Sequence, residues 1–414
     1  MKKKLKILIP NATSPLNLGD QVMLKELLKL LKSTHGNGEI TIHSTDPHLY
    51  KQNAQYRVDH TLYSWAVFSN KNPLVRAMRM YKLFLEYILN RINFNKIIFD
   101  KKLHKLINDY KRADLIVYVG NGYVRSQKGI KQALNLFMLL VLFEFSRFSN
   151  GKKIAAPMSF GPFAYSWQEK IAGLFLNHLN IVSAREEISY KRMQKNNIKN
   201  IILSSDHALF LKRKSLKKKR NARFVLGFTI RKWFGEKRQS ELEDKIVNGL
   251  AAFSKLNDLL LQPIIQVDAP EYGDNDVDIM KEIVIKLKLN GCKVLPVKNA
   301  SDLKNAITIY SEIDLLLGMR MHSNIIAATQ GTPFVALSYE HKTEGITKQL
   351  GMEEYSINCE VINEDNLVAL LTKAHQNKSI LRKIITSRVS NIQNKEQERW
   401  SKILKEYKRM YYDN

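Results

Sequence analysis

The segment Gly318-Met319-Arg320-Met321-His322-Ser323 combines residue types suited to chemistry on an anion. The apolar run Leu315–Gly318 reads as a buried strand that delivers Arg320 and His322 at its carboxyl end. The run from His322 to Gln330 reads as a helix. A guanidinium offers a planar fork to phosphate or carboxylate. An imidazole can give or take a proton near neutral pH. Free N–H groups at a helix start favour a negative ligand, and Ser323 stands there. The next apolar strand, Pro333–Ser338, leads to Tyr339 and then Lys342. Arg320, His322 and Lys342 could therefore converge on one anion from adjacent strands. The plainer alternative is a capped, ion-paired loop. Arg231 ends the run Gly227–Ile230 and is a further candidate cation, or one half of a structural ion pair.

A second group follows the first apolar run. Asn17 and Gly19 permit a tight turn, and Asp20 can cap the helix behind it or act on a substrate hydroxyl. Gly120 with Asn121, and Gly161 with Pro162, form further loops after apolar runs, without a GxGxxG fingerprint or a P-loop lysine. Arg185 is either a ligand contact or a surface pair. No HExxH and no carboxylate cluster with metal-ligand spacing occurs, so no catalytic metal is expected. Cys292 and Cys359 lie far apart and read as small apolar residues rather than zinc ligands.

Positioning these residues requires strands alternating with helices. Short apolar runs begin at Leu5, Glu39, Leu115, Lys153, Asn180 and Ile201, with helical patterns between them. After a basic stretch, runs recur at Phe224, Leu261, Lys293, Leu315 and Pro333. Such alternation implies α/β domains with mostly parallel sheets. The expected organisation is an N-terminal Rossmann-like domain over 1–211, with a basic helical insertion at about 71–112. A basic linker at 212–223 follows, with eight Lys or Arg in twelve residues. A second Rossmann-like domain covers 224–395, and a C-terminal helix covers 396–414. Ligands in open α/β sheets lie beyond the carboxyl ends of strands, so two such domains imply a cleft.

The chain has 414 residues and a net charge of +27, from 66 Lys and Arg against 39 Asp and Glu. Such an excess suits nucleic acid, an anionic membrane surface or an anionic substrate, although surface lysines can also accumulate by compositional drift. No RNP motif, zinc-finger spacing or basic zipper is present, so nucleic acid is not expected. The longest apolar stretch, Leu136–Phe143, is far short of the about 20 residues of a membrane span and reads as a buried helix. The N-terminal apolar run is too short for an export signal, so a cytoplasmic protein is expected. Between Lys71 and Arg112 eleven basic residues face three acidic ones. That region is either a solvated helical face or a peripheral surface for the inner face of an anionic membrane.

In order and spacing these motifs resemble the polysaccharide pyruvyl transferase family. The resemblance rests on Asn17-Leu18-Gly19-Asp20, the turn Gly120-Asn121-Gly122, Gly161-Pro162, Arg185-Glu186-Glu187-Ile188-Ser189, Asp206-His207-Ala208, and Gly227 to Arg231. Its most specific part is the block from Gly318 to Lys342. Asn121 stands where the family usually has glycine. The resemblance implies a GT-B-like fold and transfer of a pyruvyl group from phosphoenolpyruvate, a co-substrate, to a sugar. That sugar belongs to a cell-surface polysaccharide or its lipid-linked precursor, the product is a ketal, and no cofactor is needed. It implies donor contacts from Arg320, Arg231 and Lys342, with His322 as general acid and Asp20 as a candidate base. Asn17, Gly19, Gly120, Asn121, Arg185, Ser323 and Tyr339 complete the expected substrate-binding set. The alternative is a GT-B-type glycosyltransferase using a nucleotide sugar.

Overall fold

A computed structural model describes residues 4–36, 38–50, 55–68, 72–92, 99–214, 223–270 and 274–412. The chain divides into two compact units. One holds Met1–Pro15, Met23–His207 and Glu396–Asn414, and the other holds Leu16–Val22 and Ala208–Lys395.

Elements in the first half are β1 (Lys6–Ala12), α1 (Leu18–His35), β2 (Glu39–Ser44), β3 (Arg57–His60), α2 (Pro73–Arg91), α3 (Lys101–Arg112), β4 (Leu115–Tyr118) and β5 (Val124–Ser126). They continue with α4 (Ile130–Phe145), β6 (Lys152–Met158), β7 (Phe160–Phe163), α5 (Ser166–Leu176), β8 (Ile181–Ala184), α6 (Glu187–Lys195) and β9 (Ile201–Leu203). Seven strands form one sheet in the order β3-β2-β1-β4-β6-β8-β9, with every pairing parallel. Strands covered on both faces need continuous apolar runs, and the side chains of Leu115–Tyr118 are all buried. Helix α4 buries Leu136, Met138, Leu140, Leu142 and Phe143, as expected for that stretch, but Phe137 is half exposed.

The second half runs β10 (Val225–Thr229), α7 (Glu236–Asn257), β11 (Leu260–Ile265), β12 (Asp268–Ala269), β13 (Asp274–Asn275), α8 (Val277–Leu289), β14 (Lys298–Asn299) and α9 (Leu303–Glu312). It ends with β15 (Leu315–Gly318), α10 (Met321–Thr329), β16 (Phe334–Ser338), α11 (His341–Leu350), β17 (Ser356–Asn358), α12 (Glu364–Gln376) and α13 (Lys378–Tyr412). Its sheet has the order β14-β11-β10-β15-β16-β17, again all parallel. Strand order reverses between β10 and β15, the switch point at which loops diverge and leave room for a ligand.

Three expectations are corrected. Lys293–Pro296 forms no strand: Val294 makes one bridge to Leu261, and the edge strand is β14 instead. The loop after β1 does not belong with the first unit, because residues 16–22 pack within the second. Nor is 396–414 a separate helix; it is the end of the 35-residue α13, and Trp400 is buried in the first unit with its Nε1 donating to Ser204 Oγ at 2.9 Å. Of the basic stretch 212–223, residues 215–222 lie outside the described residues. No described helix is long and apolar enough to cross a membrane.

Candidate functional site

The second unit gathers most of the chemistry-bearing residues at its switch point. Arg231 follows β10, Arg320 and His322 follow β15, and Tyr339 and Lys342 follow β16, and these three strands are neighbours in the order β10-β15-β16. Arg231 Nη1 donates to Tyr339 Oη at 3.1 Å and Nη2 to Asp274 Oδ1 at 3.1 Å. Its guanidinium lies 4.9 Å from the Trp233 ring centroid and 5.6 Å from that of Tyr339, distances at which ring quadrupoles attract a cation. Arg231 Nε is buried and has no hydrogen-bond partner among the described residues.

Arg320 differs from the open cation expected of it. It is 5% exposed and surrounded by carboxylates. Nε donates to both oxygens of Asp276 at 3.1 and 3.2 Å, and the two terminal nitrogens reach Asp274 at 3.0 and 2.6 Å. Nη2 also bonds Asp276. Asp276 in turn accepts from the backbone of Gln266 and Val267 at 3.3 and 3.0 Å. Burial alone would depress the Arg320 pKa, but Asp276 and Asp274 outweigh it and push it upward. At Asp274 burial opposes the charge, yet the Arg320 hydrogen bond and the charges of Arg320, Arg231 and Lys342 hold the carboxyl below the usual range. Lys342 pairs with Glu340 at 2.5 Å. Three cations thus meet three carboxylates, and Arg320 acts as the buried brace that fixes Asp274 between the two arginines.

His322 is half-buried in the first turn of α10. Gly19 lies against its ring: a Cβ there would meet His322 Nδ1 at 2.0 Å, so any larger residue displaces the imidazole. The start of α1, which bears Gly19, is tied to this unit by an Asn17–Val267 bridge and by Leu303 N–H donating to Gln21 Oε1 at 3.0 Å. Asn17, not Asp20, holds the cap position of α1, since its Oδ1 accepts from Gly19 N at 3.0 Å. Asp20 sits in the first turn of α1, where the helix dipole favours an acid. Ser323 is fully buried; its hydroxyl donates to Arg320 O at 2.5 Å and lies 2.9 Å from Thr229 Oγ1. It holds the turn rather than presenting an open hydroxyl.

The remaining candidates lie in the first unit. Gly120 backs onto β6: a Cβ would meet Pro157 O at 2.1 Å. Asn121 is buried, with its Oδ1 accepting from Tyr123 N at 3.2 Å and its carbonyl from Ser159 N at 2.9 Å. Arg185 is 2% exposed, not a surface pair: it binds Asp206 at 2.8 Å and Ser159 Oγ at 2.8 Å, with Glu186 at 3.6 Å. All three serve the packing of loop ends at the β4–β6–β8 edge. Among the described residues no group of three or more His, Cys, Asp or Glu converges to hold a metal ion.

Asp274, Asp276 and Trp233 escaped the sequence reading. The acids come from β13 and the turn after it, in a segment whose only local signal is the acidic run Asp274 to Asp278 before a helix. Which cation an acid meets depends on strand order, and that is set by long-range pairing.

The chain is 24% identical over 404 residues to the amylovoran biosynthesis protein AmsJ of Erwinia amylovora, covering 88% of this chain and 91% of that protein. Among solved structures it is similar to Anabaena HepE in complex with UDP and glucose, with a TM-score of 0.56 at 11% identity over 99% of both chains. It is also similar to the UDP-GlcNAc 2-epimerase of Neisseria meningitidis bound to UDP-GlcNAc, with a TM-score of 0.56 at 10% identity over 99% of this chain and 100% of that one. These likenesses show a GT-B-type fold. A family model described as polysaccharide pyruvyl transferase matches residues 17–341, which spans the loop against His322 and the strand ends carrying Arg231, Arg320 and Tyr339, and the chain belongs to that family.

Proposed function

We propose that the protein transfers the pyruvyl group of phosphoenolpyruvate to two hydroxyls of a sugar in a cell-surface polysaccharide or its lipid-linked precursor. The single observation that carries this reading is the grouping of His322 with Arg231 and Lys342 at three adjacent strand ends, in a chain of this family. Arg231, with a buried Nε still to be satisfied, and Lys342, on a flexible stem beside Glu340, contact the carboxylate and phosphate of the donor. His322 gives its proton to the methylene carbon, leaving an oxocarbenium-like centre at the adjacent carbon. One sugar hydroxyl adds there, phosphate departs with the electron pair of its C–O bond, and the second hydroxyl closes the ketal. Two hydroxyl protons are released; one restores His322 and one leaves with phosphate. Asp20, next to Gly19 in the first turn of α1, is the candidate acceptor of a hydroxyl proton. Arg320 and Asp276 are positioning residues that keep Asp274 and Arg231 in register.

Acceptor-dependent phosphate release from phosphoenolpyruvate tests the reading. His322→Ala is expected to lower kcat by about 10²–10⁴ while donor binding by calorimetry persists, whereas Arg231→Ala weakens donor binding itself. Wild type that binds no phosphoenolpyruvate but binds a UDP-sugar overturns the reading in favour of a nucleotide-sugar glycosyltransferase, which the shared fold would also accommodate.

A further inference from the structure

Helix α2 carries apolar residues on both its faces. Its inward face buries Glu86 and Asn90 beside Leu83, and carries Arg79, whose Nη1 donates to Trp65 O at 2.9 Å. Glu86 is satisfied there by Phe99 N–H at 3.3 Å and the Asn90 amide at 3.3 Å. The outward face carries Leu74, Met78, Tyr81, Phe84 and Ile88, continued by the C-cap residue Ile92, each between 39% and 79% exposed. At 3.6 residues per turn these six occupy an arc of about 120°. A surface helix usually turns its apolar stripe to the core; here Leu83, Met80 and Tyr87 pack inward beside Glu86 and Asn90, and a second apolar stripe is left outside.

The electrostatic setting says what covers the stripe. The only acid in the helix is Glu86, which is buried. Lys82 and Arg91 border the stripe on its two sides. An apolar strip rimmed by cations fits the headgroup boundary of an anionic leaflet. A second copy of the chain would set the same cations against one another. We propose that this face of α2 seats the protein on a membrane surface containing anionic phospholipid, the stripe entering the headgroup–acyl boundary and Lys82 and Arg91 meeting lipid phosphates. The inference deepens the reading of a lipid-linked acceptor but rests on the helix alone, so the two can fail separately.

Vesicle co-sedimentation of the full chain, without donor or acceptor, is the test. Wild type is expected to sediment with vesicles of about 30% phosphatidylglycerol in phosphatidylcholine and much less with phosphatidylcholine alone. Phe84→Glu with Ile88→Glu should cut the bound fraction at least about tenfold, with the thermal midpoint unchanged because both side chains are exposed. Lys82→Glu with Arg91→Glu should abolish the preference for the anionic vesicles. Wild type that stays in the supernatant, or a Phe84→Glu, Ile88→Glu variant that binds like wild type, overturns the proposal. Sedimentation velocity showing a dimer that this variant dissociates, with no vesicle binding, assigns the face to a second copy instead and also overturns it.

Discussion

At Gly19 a missing Cβ sets the position of the residue proposed to move the proton. Substituting alanine in the first turn of a helix ordinarily adds about 0.5–1 kcal/mol of stability. Here the added methyl would stand 2.0 Å from His322 Nδ1, so the ring must move. Gly19→Ala is therefore expected to lose at least about tenfold in acceptor-dependent phosphate release, since small misplacements of a catalytic group are costly, while its melting midpoint stays within a few degrees of wild type. Full activity in this variant would remove His322 from the proton transfer. The brace below it works differently. Arg320 makes its bonds inside the fold, and removing one partner of a buried pair leaves an uncompensated charge. Loss of activity in Arg320→Ala alone would thus not distinguish ligand binding from collapse of the brace.

Among the elements, the end of α13 completes the core of the first unit. The Trp400 ring packs edge-on against His207 at 4.9 Å between centroids, and both are buried. Burial pushes the His207 pKa down from 6.5 to about 4, with Asp206 opposing. Burial, aided by Arg147, likewise takes His178 to about 4. Between pH 6.5 and 4 the unfolded chain then binds protons that these folded sites refuse. Their contribution is complete above pH 6.5 and is lost as the pH falls through that window. The thermal midpoint of the first unit should drop between pH 6.5 and 4, and less steeply in His207→Gln. A midpoint flat across that range in wild type would contradict this account.

For the whole molecule the discriminating question is which donor stabilises it. A ligand at 100 times its Kd adds about 2.7 kcal/mol to the folded state. For a unit of this size that is a shift of about 5 °C or more. Phosphoenolpyruvate is expected to raise the melting midpoint of the unit carrying β10 to β17, and UDP-sugars are not. The shift should persist in His322→Ala and vanish in Arg231→Ala. A shift with a UDP-sugar alone would favour the glycosyltransferase reading.

Much of the architecture was legible in the chain itself. Apolar runs such as Leu115–Tyr118 and Leu315–Gly318 are too continuous for half-exposed strands, and their alternation with helical patterns implies parallel sheets. The motif order from Asn17 to Lys342 resembles that of the family, whose model matches residues 17–341. Short elements were not legible: β14 and β17 have two or three residues each, and pairing with neighbours rather than propensity makes them strands. Charge pairing was not legible either. Arg320 looked like an open cation because its partners, Asp274 and Asp276, lie more than forty residues away in sequence. Likewise the basic region 71–112 read as either a solvated helical face or a membrane surface, and which side chains of α2 point outward was not legible. A period names one face of a helix without saying whether that face meets core or solvent; only the burial of Glu86 and Asn90 on the other side decided it.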